Sequence, residues 1–298
     1  MISKLSQLVI PVMLGLAGFA HAQEGNQQDK SEYQSALDER IAIENRTRYE
    51  SFVITPHRPN YILPIAYNDS PNYDPNDTGI NESLDKTEVK FQLSMKFPVT
   101  EDLFGENGAL FFAYTNLSFW QAYNRDASSP FRETVHEPEL FLVFPTNFTL
   151  FGMRHRMMQI GVSHQSNGRS EPSSRSWNRI YLDFLFQYQD FYLSIRPWYR
   201  LQDTFSDSAR DDNPDIEDYL GHGEIRGAYS DGYHTLSLML RNNFSNPNHG
   251  AVEFNWSIPM SRRARWFFQY FNGYGESLID YNARTNRIGL GIAFTDWL

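Results

Sequence analysis

His164, Ser166 and Asn178 are the residues of this chain whose types and spacing best suit chemistry. A serine hydroxyl is a poor nucleophile until a base takes its proton. An imidazole titrates near neutrality, so it can take that proton and later return it to a leaving group. An asparagine oxygen can accept a hydrogen bond from the other ring nitrogen and fix the tautomer. The three types together describe the nucleophile, base and orienting residue of acyl transfer. His-x-Ser alone recurs by chance in many chains, where the histidine is usually an interfacial residue with satisfied hydrogen bonds. The chemistry therefore depends on where the three side chains point.

Their direction follows from the elements that carry them. From residue 60 onward the hydropathy alternates with a period of two. Val89-Lys90-Phe91-Gln92-Leu93-Ser94-Met95-Lys96-Phe97 does so without a break. Arg287 to Phe294 and the set Val252, Phe254, Trp256 and Ile258 obey the same rule. Such alternation marks strands with one apolar face. Twelve runs are expected, at 60–67, 89–98, 109–121, 138–145, 156–166, 176–187, 190–201, 220–229, 233–240, 251–258, 265–271 and 286–295. The joins are alternately long and polar, as at 167–175 and 202–219, and short, as at Gln189 or Ser230-Asp231-Gly232. An even strand count with long and short loops on alternate ends predicts an all-β fold, a twelve-stranded antiparallel transmembrane β-barrel. A soluble β-sandwich is the competing architecture.

On the fifth run, His164 and Ser166 share the apolar face of Ile160 and Val162. On the sixth, Asn178 shares the face of Ile180, Leu182, Phe184 and Phe186, while Arg179, Asp183 and Gln187 turn inward. Three polar side chains thus interrupt a lipid-facing surface at one end of one hairpin. If residues 164 and 178 lie opposite each other, the loop centre falls at residue 171. Directly opposed side chains are about 5 Å apart and i,i+2 neighbours about 7 Å, so one imidazole can serve both partners. A neutral asparagine also avoids a charge beside hydrocarbon.

The remaining composition narrows the classes. Lys4, the apolar stretch Leu8 to Ala20 and the small-x-small sequence Ala20-His21-Ala22 predict a secretory signal peptide over 1–22. Residues 23–59 are expected to be a polar segment on the periplasmic side, and 60–298 the barrel. Within 23–59, Tyr33, Leu37 and Ile41 recur every four residues, which admits a short helix. The chain has no cysteine, which excludes thiol and disulfide chemistry. A net charge of -10 argues against nucleic acid as a partner. Aromatic residues make up 15 %, which suits the interfacial girdles of a barrel. Loop 167–175, rich in hydroxyls and containing Gly168, is either a solvated loop or a set of oxygen ligands for a hard cation. The acidic stretch Asp211-Asp212-Asn213-Pro214-Asp215 reads mainly as a solvated outer loop.

The run from His164 to Arg179, His-Gln-Ser-Asn-Gly-Arg-Ser-Glu-Pro-Ser-Ser-Arg-Ser-Trp-Asn-Arg, closely resembles the active-site segment of the outer membrane phospholipase A family. So do Ser128 to Thr134 with Glu137-Pro138, Asp211 to Ile216, and Gly273 to Asn282. The resemblance implies a calcium-dependent barrel that hydrolyses the acyl esters of phospholipids, as phospholipase A1, A2 and lysophospholipase. It implies Ser166 as nucleophile, His164 as general base and acid, Asn178 as its orienter and the Gly168 amide as oxyanion donor. One Ca²⁺ per active site would be held by the carbonyl of Arg169, the hydroxyl of Ser174 and the carbonyl of Ser128 from a second copy. The family is active as a homodimer and silent as a monomer. Its members lie in the bacterial outer membrane, with the active site at the outer leaflet and the termini periplasmic. Two positions depart from the family pattern: Gln165 stands where Asp can, and Asn116 where Gln can at the dimer seam. Two other functions compete. One is a transport or structural barrel, against which lumen-facing Lys90, Gln92, Arg179, Asp183 and Arg287 argue by filling a narrow bore. The other is an envelope protease, against which a lipid-facing nucleophile argues.

Overall fold

The alternating runs become strands of one closed antiparallel sheet. The computed structural model describes residues 35–47, 50, 55–72, 84–103, 108–202 and 211–297. The expected signal peptide lies outside the described residues, as does Tyr33 of the four-residue period. A helix α1 (Ala36–Thr47) carries the rest of that period and buries Leu37. The strands that follow are β1 (Thr55–Pro56), β2 (Asn60–Asn68), β3 (Thr87–Asp102), β4 (Gly108–Trp120), β5 (Phe131–Leu150), β6 (Met153–Ser166) and β7 (Ser176–Tyr188). Then come β8 (Phe191–Leu201), a short helix α2 (Ile216–Leu220), β9 (Gly223–Ser230), β10 (Thr235–Asn242), β11 (Gly250–Ser261), β12 (Ala264–Tyr274) and β13 (Arg284–Thr295).

Each strand from β3 to β13 pairs with its sequence neighbour, β13 pairs with β2, and β2 with β3, which closes the ring. The two-residue β1 pairs with β3 just ahead of β2, so it extends the first stave and the barrel has twelve. Closure leaves no unpaired edge, the condition for strands to cross a bilayer. Among the described residues no helix is long and apolar enough to cross one.

The two faces of the sheet differ as the alternation requires. Leu93, Leu140, Ile160, Val162, Ile180 and Leu290 are exposed outward. Lys90, Glu88, Arg132, Glu139, Asp183 and Arg287 are buried inward. All five residues expected to fill the bore do so. Lys90 Nζ donates to Gln269 at 2.6 Å and to Glu276 at 2.9 Å. Gln92 donates to the Pro59 carbonyl at 2.8 Å, and Arg179 to Glu137 at 2.7 Å. Asp183 accepts from Arg196 at 2.6 Å, and Arg287 spans Glu88 and Glu276, each at 2.8 Å. A cavity of 590 Å³ remains between these clusters, bordered by Arg58, Glu137, Glu224 and Arg241 among others.

The two ends of the barrel differ as well. Two-residue turns join β5 to β6, β7 to β8 and β11 to β12. In the first, Phe151 and Gly152 both have positive φ, the twist-matched hairpin geometry. In the β9–β10 turn, Asp231 Oδ1 accepts from the amides of Tyr233 and His234. Those backbone bonds hold its carboxyl below its ordinary value. Long loops occupy the other end. Helix α1 docks at the short-turn end, where Arg40 donates to the carbonyls of Trp297 at 2.8 Å and Pro56 at 3.0 Å. Strand β6 starts at that end and finishes at Ser166, so the catalytic candidates sit at the long-loop end.

One strand corrects its expected limits. The run at 138–145 is the middle of β5, which spans Phe131–Leu150, so the strand begins seven residues before its expected start. Glu133, Glu137 and Glu139 point inward there, and the outward positions between them, Thr134, His136 and Pro138, are not apolar, so hydropathy does not alternate.

Candidate active site

Strands β6 and β7 bring two of the three catalytic candidates into contact. His164 lies opposite Asn178 in the ladder, the register expected from a loop centred on residue 171. His164 Nδ1 stands 2.8 Å from Asn178 Oδ1. An amide oxygen only accepts, so Nδ1 carries the proton and Nε2 presents a lone pair. Ser166 follows two residues later on the same face of β6. Among the described residues Ser166 Oγ makes no hydrogen bond, so the contact expected between His164 and Asn178 is present and the one expected between His164 and Ser166 is not. His164 is exposed on the outer surface, and Ser166 and Asn178 are half-buried. The same strand keeps Ser163 inward, where it donates to Glu137 at 2.9 Å.

The inner face beneath this hairpin is rigid. Trp177 Nε1 donates to Gln165 Oε1 at 2.7 Å, and the Arg179 guanidinium lies 4.2 Å from the centre of the Trp177 ring. Gly161 permits the packing below: a Cβ there would lie 2.7 Å from both Tyr181 and Phe141.

Loop 167–175 is built on Asn167, which is buried. Its Oδ1 accepts from the amides of Arg169 and Arg175, and its Nδ2 donates to the Ser173 carbonyl at 2.9 Å. Gly168 sits at φ +65, the left-handed region that glycine occupies without strain. The Arg169 side chain turns inward, donating to the Arg132 carbonyl and standing 3.5 Å from the buried Glu133. Its own backbone is thereby pinned at the rim.

The acidic stretch is not a free solvated loop. Arg200 binds Asp211 at 2.6 Å, and Asn213 is fully buried and accepts from the Ser176 amide at 3.0 Å. Asp212 accepts from Ser174 Oγ at 2.6 Å and from Ser176 Oγ at 3.3 Å. Asp215 accepts from Tyr281 at 2.7 Å, and burial together with that carboxylate pushes the Tyr281 hydroxyl above its ordinary value. Side-chain hydrogen bonds of this sort leave no trace in hydropathy, which is why the stretch reads as solvated.

The expected calcium ligands fall on two loops. Arg169 and Ser174 belong to loop 167–175, and Ser128 to the β4–β5 loop, where it and Ser129 both have positive φ. Among the described residues no hydrogen bond or ion pair joins Ser128 to loop 167–175, and no three acidic or histidine side chains are grouped so as to hold a metal ion. Carbonyl and hydroxyl oxygens are nonetheless hard donors of the right kind. Ser174 directs its proton at Asp212 at 2.6 Å, which leaves its oxygen lone pairs free to act as a ligand.

Sequence reasoning missed a further pair on this surface. His136 of β5 lies opposite Ser166 of β6, and on its other side opposite Asn116 of β4. Its Nδ1 is 2.6 Å from Tyr114 Oη. Both side chains have outward parity. Thr134, His136, Pro138 and Leu140 share one face of β5, but the run expected at 138–145 starts seven residues after the strand does, so it leaves His136 out.

The phospholipase A1 family model matches residues 37–294. The phospholipase A1 of Klebsiella pneumoniae is 35 % identical over 98 % of this chain and 99 % of its own. That of Escherichia coli K12 is 36 % identical over 97 % of each. The solved structure of outer membrane phospholipase A from Escherichia coli superposes with a TM-score of 0.75 at 37 % identity, covering 83 % of this chain and all of the other. A Salmonella typhi outer membrane phospholipase, solved as a dimer with bound calcium, gives 0.75 at 38 % identity over 83 % of this chain and 94 % of that one.

Proposed function

The chain belongs to the phospholipase A1 family, and from that premise we propose that it cleaves acyl esters of phospholipids by a Ser166–His164–Asn178 mechanism on the outside of an outer-membrane barrel. The observation that carries the reading is the 2.8 Å contact of His164 with Asn178 on the lipid-facing side, beside Ser166. Phospholipid and water yield lysophospholipid and fatty acid, and lysophospholipid can be cut again.

Each residue acts within its geometry. His164 Nε2 takes the proton from Ser166 Oγ as the oxygen adds to the ester carbon. Asn178 Oδ1 keeps the Nδ1 proton in place, so the lone pair stays on the side that faces the serine. Being neutral, it stabilises the imidazolium less than a carboxylate would, in a setting where a bare charge is costly. The Gly168 amide meets the oxygen that becomes negative. His164 then gives its proton to the leaving glycerol oxygen, and a water repeats the sequence to free the fatty acid.

The carbonyl of Arg169, the hydroxyl of Ser174 and the carbonyl of the partner subunit's Ser128 would hold one Ca²⁺ beside Ser166. Bound there, calcium supplies positive charge to the developing oxyanion. The Ser174–Asp212 bond and the calcium-bound dimer of the Salmonella typhi relative support this placement. A site divided between two copies makes the homodimer the active form and the monomer the silent one. The active surface lies at the outer leaflet, with both termini in the periplasm, residues 1–22 removed as a signal peptide and 23–59 preceding the barrel.

Purified protein in detergent should hydrolyse phospholipid with Ca²⁺ present and stop when a chelator is added. Ser166→Ala should abolish turnover and leave a heat-resistant barrel. Turnover surviving in that variant would refute the mechanism.

A further inference from the structure

The outer face of the barrel carries a row of polar residues that runs past the triad. Asn116 on β4, His136 on β5, Ser166 on β6 and Ser176 on β7 lie opposite one another in successive ladders. Opposed Cα atoms in an antiparallel pair are about 4.5–5.5 Å apart, so the His136 side chain borders Ser166 on the β5 side. His164 borders it along its own strand. The serine therefore stands between two imidazoles, of which the mechanism above uses one.

The second imidazole has a defined orientation. Its Nδ1 faces Tyr114 Oη at 2.6 Å, and the two rings are 6.2 Å apart between centroids. Its other edge faces Gly168: a Cβ built on Gly168 would lie 3.7 Å from His136 Cδ2 and 3.8 Å from Nε2. Among the described residues neither Tyr114 Oη nor His136 Nε2 has another hydrogen-bond partner. If Nδ1 carried the proton, the phenol hydrogen would have no acceptor and a lone pair would face the Gly168 backbone. If Tyr114 donates to Nδ1, the phenol is satisfied and Nε2–H becomes a donor aimed at the space beside the Gly168 amide. Each arrangement makes one hydrogen bond at rest, and only the second leaves its free donor, Nε2–H, beside the Gly168 amide, where a developing oxyanion would pair with it.

We propose that His136, held in its Nε2–H tautomer by Tyr114, is a second oxyanion donor beside the Gly168 amide. The proposal rests on Ser166 being the nucleophile. When Ser166 Oγ bonds to the ester carbon, its proton passes to His164 Nε2 and the C=O π pair moves onto the carbonyl oxygen. His136 Nε2–H then donates a hydrogen bond to that oxygen and transfers no proton. The two histidines divide the work: His164 moves the proton, and His136 receives the charge. Unlike a bound cation, the His136 donor is already in place in a single chain.

The test compares three variants in detergent with saturating Ca²⁺, using a p-nitrophenyl acyl ester. His136→Phe keeps a ring and removes the donor. It should lower kcat by about 10²-fold, the scale of a lost oxyanion-hole donor, with little change in KM. His136→Gln places an N–H near the Nε2 position and should recover most of that loss. Tyr114→Phe frees the tautomer and should lower kcat less than His136→Phe does. An unchanged kcat in His136→Phe overturns the proposal, and so does a His136→Gln value as low as that of Phe in a folded barrel, since packing alone would then explain both. Should His136→Phe fail to form a heat-resistant barrel, Tyr114→Phe decides: a wild-type kcat overturns the proposal. Ser166→Ala, measured alongside, separates the two readings. A silent Ser166→Ala with an unaffected His136→Phe removes only the second donor, whereas an active Ser166→Ala removes the esterase mechanism itself.

Discussion

The inside and the outside of this barrel use polar residues in opposite ways. Inward, charges are numerous and paired: Arg132 bridges Glu88 and Asp280, Arg287 bridges Glu88 and Glu276, and Lys90 joins Glu276. Outward, the sheet is mostly apolar, and one lane at the long-loop end holds Asn116, His136, Ser166, His164 and Asn178, none of them an acid, a lysine or an arginine. Buried ion pairs balance their own desolvation and leave little reactivity over. Neutral groups on a lipid face have no such compensation and stand out as candidates for chemistry. On the proposed mechanism the lumen is scaffold and the outer lane carries the chemistry, and each half can be attacked separately.

The largest effect should come from the outer lane. His164→Ala is expected to lower kcat by about 10⁴-fold or more, as removal of a triad base does, without loss of the heat-resistant barrel. Asn178→Ala should reduce kcat less, because the imidazole loses its orienting partner but remains. The reverse order would undo the division of roles. Next comes a strike on the lumen. Arg287→Ala leaves Glu88 and Glu276 short of a buried partner and should destabilise the barrel by about 3–5 kcal/mol in denaturant unfolding, with kcat of the folded fraction near wild type. A large kcat loss at intact stability would mean that the lumen takes part in the chemistry. Smaller still are changes behind the loop. Ser174→Ala should raise the Ca²⁺ concentration at half-maximal activity, and Asp212→Asn should raise it about tenfold by weakening the hydroxyl's support. A calcium titration superimposable on wild type would count against both residues.

The hairpin was the most legible part of the sequence. A period of two, two apolar faces and a nine-residue loop suffice to set His164 against Asn178, and the ladder pairs those two residues. Legibility failed where side chains bond to one another instead of partitioning between water and lipid. Asn167, Asp212 and Asn213 hold the active loop through hydrogen bonds that composition does not encode. His136 escaped for a different reason. Its stretch of β5 is polar on both faces, Thr134 and His136 outward and Glu133 and Glu137 paired in the lumen, so the hydropathic alternation fades there. Arg58 was missed likewise, although it binds Glu137 at 2.8 Å and Glu139 at 2.7 Å, because it precedes the first regular strand.

Ser163 and Ser166 lie three residues apart on one strand, one facing in and one facing out, and they test the central claim most directly. Purified protein treated with a long-chain alkylsulfonyl fluoride in detergent, with Ca²⁺ present, would be digested and the modified residue located by mass spectrometry. The account predicts a single label on Ser166 and loss of activity in step with labelling. A label on Ser163, or full inactivation with Ser166 unmodified, would contradict it.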